Sequence, residues 1–199
     1  MRTATSTTLL LLVISAAAAA LAGCADETTL SPTEPPVIAA VASRGVDLGQ
    51  CGDISVPAGS TLVLNAYAEG VQIYQWDGMS WAPRGPSATL YADADHIGVI
   101  GTHFGGPTWK SNSGSFVVGQ LKKPCEVGPT DIPWLLLDGS RSKGPGIFEG
   151  VTSIQRVNTV GGRAPTAPGS QGEVRNVPYT AEYYFYRALT APEPAAGGA

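Results

Sequence analysis

His103, Trp109 and Lys110 stand in the stretch THFGGPTWK (102–110), on either side of Gly105-Gly106-Pro107. A neutral imidazole near pH 7 can act as acid, base or hydrogen-bond donor, and a Gly-Gly-Pro turn lets a ligand approach the backbone closely. The three side chains are therefore candidates to line a ligand pocket, with His103 as the candidate acid/base. The competing reading places His103 on the same strand face as Ile97 and Val99, where it is a hydrogen-bonded core residue.

A second group, Gln155 and Arg156, sits in an apolar run. An arginine there either recognises an anionic ligand or pairs with a carboxylate, Glu182 or Asp138, and pins two strands together. The run Tyr183-Tyr184-Phe185-Tyr186 places aromatics on both faces of one strand. Tyr184 and Tyr186 are candidates for a stacking platform for sugar or peptide, and core packing gives the same pattern. Asp93 and Asp95 precede His96, but two carboxylates are too few for Ca²⁺, so that stretch reads as a solvated turn. There is no GxSxG elbow, no cysteine beside a histidine, no GxGxxG after a strand and no CxxC. With only two histidines, no metal and no cofactor are implied.

Sulfur supplies the third group. Arg2 is followed by an apolar run from Leu9 to Ala20, too short to span a bilayer comfortably, in the layout of a secretory signal. It ends at Leu21-Ala22-Gly23-Cys24, which resembles the bacterial lipobox, implying cleavage before Cys24 and lipid on its thiol. Two or three acyl chains hold a protein stably on a membrane. Ala25 after that cysteine weakly favours the outer membrane by resemblance to enterobacterial sorting. Cys51 and Cys125 remain, and an even pair in an exported chain is expected to close a disulfide.

These residues need elements to position them. The sequence divides into a signal peptide (1–23), the lipidated cysteine with a flexible tether (24–43), one β-rich domain (44–189) and a disordered tail (190–199). The tether is Thr/Pro-rich, with a short helix near Val37 to Ser43 after Pro-Pro. Gly and Pro number 25 and 16, which suits many turns between short strands. Strands are expected over Thr61–Ala68 and Val71–Trp76, split by a hairpin turn at Glu69-Gly70, with Val71, Ile73 and Gln75 on one face and Gln72, Tyr74 and Trp76 on the other. Asp77-Gly78 marks another turn before Trp81. Further strands are expected over Ala88–Tyr91, Ile97–Phe104, Ser115–Leu121, Trp134–Leu137, Val151–Val160 and Ala181–Ala188. The fold class is all-β, a sandwich or small barrel with long Gly/Pro-rich loops. The net charge is −4, and Lys122-Lys123 is the one basic pair, which argues against a nucleic-acid partner.

Six phrases in order resemble a family of exported bacterial and fungal proteins known only as a domain of unknown function. They are GVQIYQW (70–76), THFGGPTWK (102–110), GSFVVGQ (114–120), IPWLLL (132–137), SIQRVNTVGGRAP (153–165) and VPYTAEYYFY (177–186). The family usually has cysteine where Trp76 stands and another near Ser170. Their joint absence fits a disulfide that this chain lacks, with Cys51 and Cys125 as a relocated staple. An acidic residue is usual at Lys110 and tyrosine at Phe104. Some fungal relatives are labelled malate dehydrogenase, and no residue here supports hydride transfer. The expected function is a lipid-anchored envelope protein, a β-domain binding a small molecule, glycan or envelope protein. The alternatives are an envelope hydrolase using His103 and a structural lipoprotein.

Overall fold

A computed structural model describes residues 46–189. The signal segment, Cys24, the tether with its expected helix and the tail lie outside the described residues. The described chain starts with a short 3-10 helix, Gly49–Ile54, and continues as eight strands: β1 Ser60–Trp76, β2 Trp81–Tyr91, β3 Val99–Phe104, β4 Thr108–Ser111, β5 Phe116–Cys125, β6 Trp134–Lys143, β7 Ser153–Gly161 and β8 Val174–Ala188. Each strand pairs antiparallel with the next, and β1 pairs with β8, so the sheet closes into an up-and-down barrel. Closure removes the free edges that an open sheet would expose.

Side chains alternate between the barrel interior and its outer face. Across the β1–β8 seam Leu64 pairs with Phe185, Ala66 with Tyr183 and Ala68 with Ala181. The small side chains of Ala66, Ala68 and Ala181 leave room inside for the rings of Tyr183 and Phe185. The interior core joins these residues to Leu90, Trp109, Val117, Leu137 and Ile154, with Phe148 entering from the segment between β6 and β7. Phe148 packs on Phe185 at a ring separation of 4.9 Å.

A second apolar cluster lies on the outer face. There Cys51 and Ile54 of the 3-10 helix cover Leu136 and Val157. Cys51 and Cys125 form the expected disulfide. The Gln155 side-chain amide donates to the Ile54 carbonyl at 2.7 Å and its oxygen accepts from the Tyr186 hydroxyl at 2.8 Å.

The Asp77-Gly78 turn forms as expected, with Asp77 Oδ1 accepting from the backbone of Met79 and Ser80. No turn occurs at Glu69-Gly70, and β1 runs through it for 17 residues. Gly70 is needed for a different reason. A Cβ there would overlap the Ser87 carbonyl oxygen and lie 2.5 Å from the Ala88 Cα. The glycine therefore lets β2 approach where the closed sheet coils tightly. β4 has four residues and was not anticipated. It follows directly on the Gly105-Gly106-Pro107 turn.

Trp76 also lies beside the segment of Ser170. Its backbone exchanges hydrogen bonds with Glu173 and Gly172, and a Cβ on Gly169 would sit 3.1 Å from the Trp76 Cβ. The two places where the resemblance implies a cysteine pair are thus spatial neighbours.

Gly70→Val forces two backbones apart and is expected to destabilise the barrel by ~2–3 kcal/mol. The urea midpoint measures this, and an unchanged midpoint would mean that β2 does not pass so close to Gly70.

Candidate functional site

In an antiparallel barrel alternate loops lie at one end. That end carries the turns after β1, β3, β5 and β7. The loops after β5 and β7 are braced together. Asp131 bridges to Gly162, its Oδ1 accepts from the Gly161 backbone, and Arg163 donates to the Asp131 carbonyl and pairs with Glu126. The Tyr74 hydroxyl donates to the Gly162 carbonyl at 2.8 Å. Beneath this framework lies a cavity of 170 Å³ lined by His103, Pro107, Trp109, Leu121, Leu135, Leu137, Arg156 and Tyr183. Stretches far apart in sequence, 102–110, 153–156 and 180–187, therefore converge on one space.

The register explains the convergence. His103 pairs with Trp109 across the β3–β4 hairpin, so both point inward and their rings stack at 4.3 Å and 7°. Tyr183 meets both edge-on, at 5.1 and 5.2 Å. Arg156 pairs with Tyr183 across β7 and β8.

His103 does not gain its apolar surroundings from Ile97 and Val99, which are exposed. β3 begins only at Val99, and an irregular register opposite Leu90 and Tyr91 interrupts the alternation. The ring is nonetheless buried. Its Nδ1 lies 2.9 Å from the Thr108 carbonyl oxygen, which can only accept, so Nδ1 carries the proton and Nε2 the lone pair. Burial drives its pKa down to about 3, with the Thr108 carbonyl opposing and the Arg156 charge adding to the fall. At neutral pH His103 is thus a neutral acceptor at Nε2. A general acid/base works best with a pKa near the operating pH, and burial holds this ring well below it.

Arg156 does not meet Glu182 or Asp138. Both carboxylates are on the outer face, where Asp138 pairs with Lys122 and Glu182 accepts from Asn158 and Tyr184. Arg156 points inward and donates through Nε and Nη2 to the Pro133 carbonyl, at 3.2 and 2.8 Å. Among the described residues no carboxylate pairs with it. Nearby groups add donors. Trp109 Nε1, Gln72 Nε2 and the hydroxyls of Tyr179 and Tyr183 are buried without a hydrogen bond of good geometry, although the two hydroxyls lie close to one another, Tyr179 to Gln72 and Tyr183 to Arg156. Of the four, Trp109 and Tyr183 line the cavity. Burial raises the pKa of both phenols, and Arg156 opposes the rise. They remain protonated.

The other candidates fall elsewhere. Lys110 follows Trp109 and so points outward, away from the cavity. It lines an outer groove with Phe104, Phe116, Arg141 and Lys143. Gln155, Tyr184 and Tyr186 are on the outer face of the β7–β8 pair, where Gln155 and Tyr186 hold the 3-10 helix. Asp93 caps a turn by accepting from the Ile97 backbone, and His96 pairs with Glu69. Tyr183, Tyr179, Gln72 and Leu135 were not among the candidates. Alternation through Ala181, Tyr183 and Phe185 was the signal for two of them.

Residues 57–187 match the model of a family described as a protein of unknown function (DUF3455). No curated protein and no solved structure matches the chain.

A histidine neutral when folded binds a proton only on unfolding between about pH 3 and its ordinary value of 6.5. The unfolded state then holds more protons, so His103 makes stability rise with pH across that window and level off above it. Stability should be lost as pH falls. Substituting His103→Phe should flatten the pH 4–6 segment by about 1.4 kcal/mol per pH unit. Parallel wild-type and variant profiles in urea titrations would show that His103 is protonated in the folded protein.

Proposed function

We propose, for a chain that belongs to the DUF3455 family, that the barrel binds a small ring compound carrying a carboxylate and is held at a bacterial cell envelope by lipid on Cys24. One observation carries the ligand reading: Arg156 reaches the wall of an inner cavity with no carboxylate beside it among the described residues. Removing a guanidinium from water without a counter-charge is costly. A bound carboxylate restores the missing charge and suits the planar fork of the side chain.

The surroundings favour the same chemistry. Pro107, Leu121, Leu135 and Leu137 offer an apolar wall, and Trp109 and Tyr183 offer ring edges and donors. An engineered cavity of ~150 Å³ takes benzene, so 170 Å³ suits a single small ring with one substituent. His103 Nε2 is the acceptor for a hydroxyl on that ring. Eight-stranded barrels of this kind have interiors just large enough for one small ligand. The function is capture, without catalysis.

Placement at the envelope rests on the LAGC tetrapeptide at 21–24 and on a disulfide of the kind that persists outside the reducing cytosol. The residues of 24–43 then act as a tether, and the outer membrane is the favoured face.

Two experiments test the reading. Titration with benzoate, followed by tryptophan fluorescence, is expected to show saturable binding, with benzamide roughly tenfold weaker or worse. Arg156→Gln should remove that preference. Equal affinity for benzoate and benzamide would sink the carboxylate reading. For the anchor, Cys24→Ser should move the protein from the membrane fraction to the soluble one. A variant that still sediments with membranes would refute lipidation as the attachment.

A further inference from the structure

On the outer face of β3–β6, across one thickness of sheet from the inner cavity, the strand register builds a platform in two rows. In one row Lys110, Phe116 and Lys143 stand directly opposite one another across β4, β5 and β6. In the other, Phe104, Thr108, Val118 and Arg141 do the same across β3 to β6. These residues line a groove of 440 Å³ that contains no acidic side chain. Neighbouring strands are ~4.8 Å apart, so Lys110 and Lys143 flank Phe116 at backbone positions about 10 Å apart. The Arg141 guanidinium sits 5.6 Å from the centre of the Phe116 ring. Phe104 is 41 % exposed. Among the described residues none of the three cations meets a carboxylate.

Three unpaired positive groups around two phenylalanines are out of character for a chain of net charge −4. Their mutual repulsion is small across water at about 10 Å, and an anion lying among them would gain from all three charges. We infer that this groove binds a carboxylated oligosaccharide, whose uronate groups meet Lys110, Arg141 and Lys143 while the C–H face of a sugar ring packs on the phenylalanines.

Two other anionic partners fit less well. A bilayer is flat and draws on protruding apolar side chains flanked by lysines, whereas these rings lie in a concavity. A nucleic acid needs a longer basic track to gain affinity from released counterions, and the groove offers three cations. An acidic sugar chain has charge at ring spacing and an apolar face on each ring, which matches cations and aromatics interleaved on one sheet.

The test is calorimetric titration of the purified protein with an oligogalacturonate at moderate salt. Uncharged galactan oligomers, phosphatidylglycerol vesicles and a single-stranded DNA oligonucleotide serve as comparisons. Oligogalacturonate is expected to bind and neutral galactan is not. The exposed double variant Lys110→Gln/Lys143→Gln should keep the wild-type urea midpoint and lose roughly tenfold or more in affinity. Arg156→Gln should leave this affinity within about twofold, since Arg156 points to the other side of the sheet and lines no part of the groove. The inference is overturned by absence of oligogalacturonate binding, by equal binding of galactan, by full affinity in the double variant, or by tighter binding of vesicles or DNA. Benzoate titration remains a separate readout, so failure here and failure of the inner site are distinguishable.

Discussion

Closure of the sheet through the β1–β8 pairing governs everything else in this molecule. Once those strands join along Ser60–Gln75, side chains alternate between the interior and the outer face with a period of two residues, and the outer face keeps its water except where the 3-10 helix covers Leu136 and Val157. The interior must then be filled from the sequence itself. Ala66 and Ala68 opposite Tyr183 and Ala181 are the local solution, because eight strands leave room for a limited layer of rings. An opening of that seam would expose two long strand edges and the aromatic core at once.

The interior is not uniform. Toward the end that Phe148 enters it is mostly apolar, built from Leu64, Leu90, Ile154 and Phe185, with the buried hydroxyls of Ser111 and Ser115 bonded to each other. Toward the braced loops it gathers Arg156, His103, Tyr179 and Gln72. Buried donors without partners cost stability, and the apolar end offsets that cost together with the Cys51–Cys125 bridge. A barrel selected for stability alone would have no reason to keep Arg156 inside, since an apolar residue of similar volume packs without a charge to satisfy. The polar end is where the chain departs from the rule that local choices agree with the fold, and such departures cluster at functional positions.

Much of this was legible beforehand, because alternation is a local signal. The split of Gln72 and Tyr74 from Val71 and Ile73, the turn at Asp77-Gly78 and the all-β class follow from residue type and spacing. Gly70 was misread because a glycine flanked by strand formers has two causes, a turn or a close approach, and only the partner backbone distinguishes them. The four residues of β4 are too few to show periodicity. Which side of each strand would face inward was likewise not local. Lys110 next to Trp109, and Tyr184 next to Tyr183, look equally suited to a pocket until closure sends one of each pair outside.

The two faces of β3 to β6 show how one short hairpin lines both the inner cavity and the outer groove. Trp109 and Lys110 are adjacent in the chain, yet the first stacks on His103 within the barrel and the second lies beside Phe116 on the outside. A one-residue slip of β4 would exchange them, burying an ammonium in the barrel beside the Arg156 guanidinium and exposing an indole. That exchange is strongly unfavourable, so the inner stack and the outer charge row hold the same register. The stack of His103 on Trp109 fixes the position of Arg156's neighbours, and the Gly105-Gly106-Pro107 turn fixes the hairpin. The inner cavity and the outer groove are thus two readings of a single strand pairing, kept apart by the thickness of one sheet.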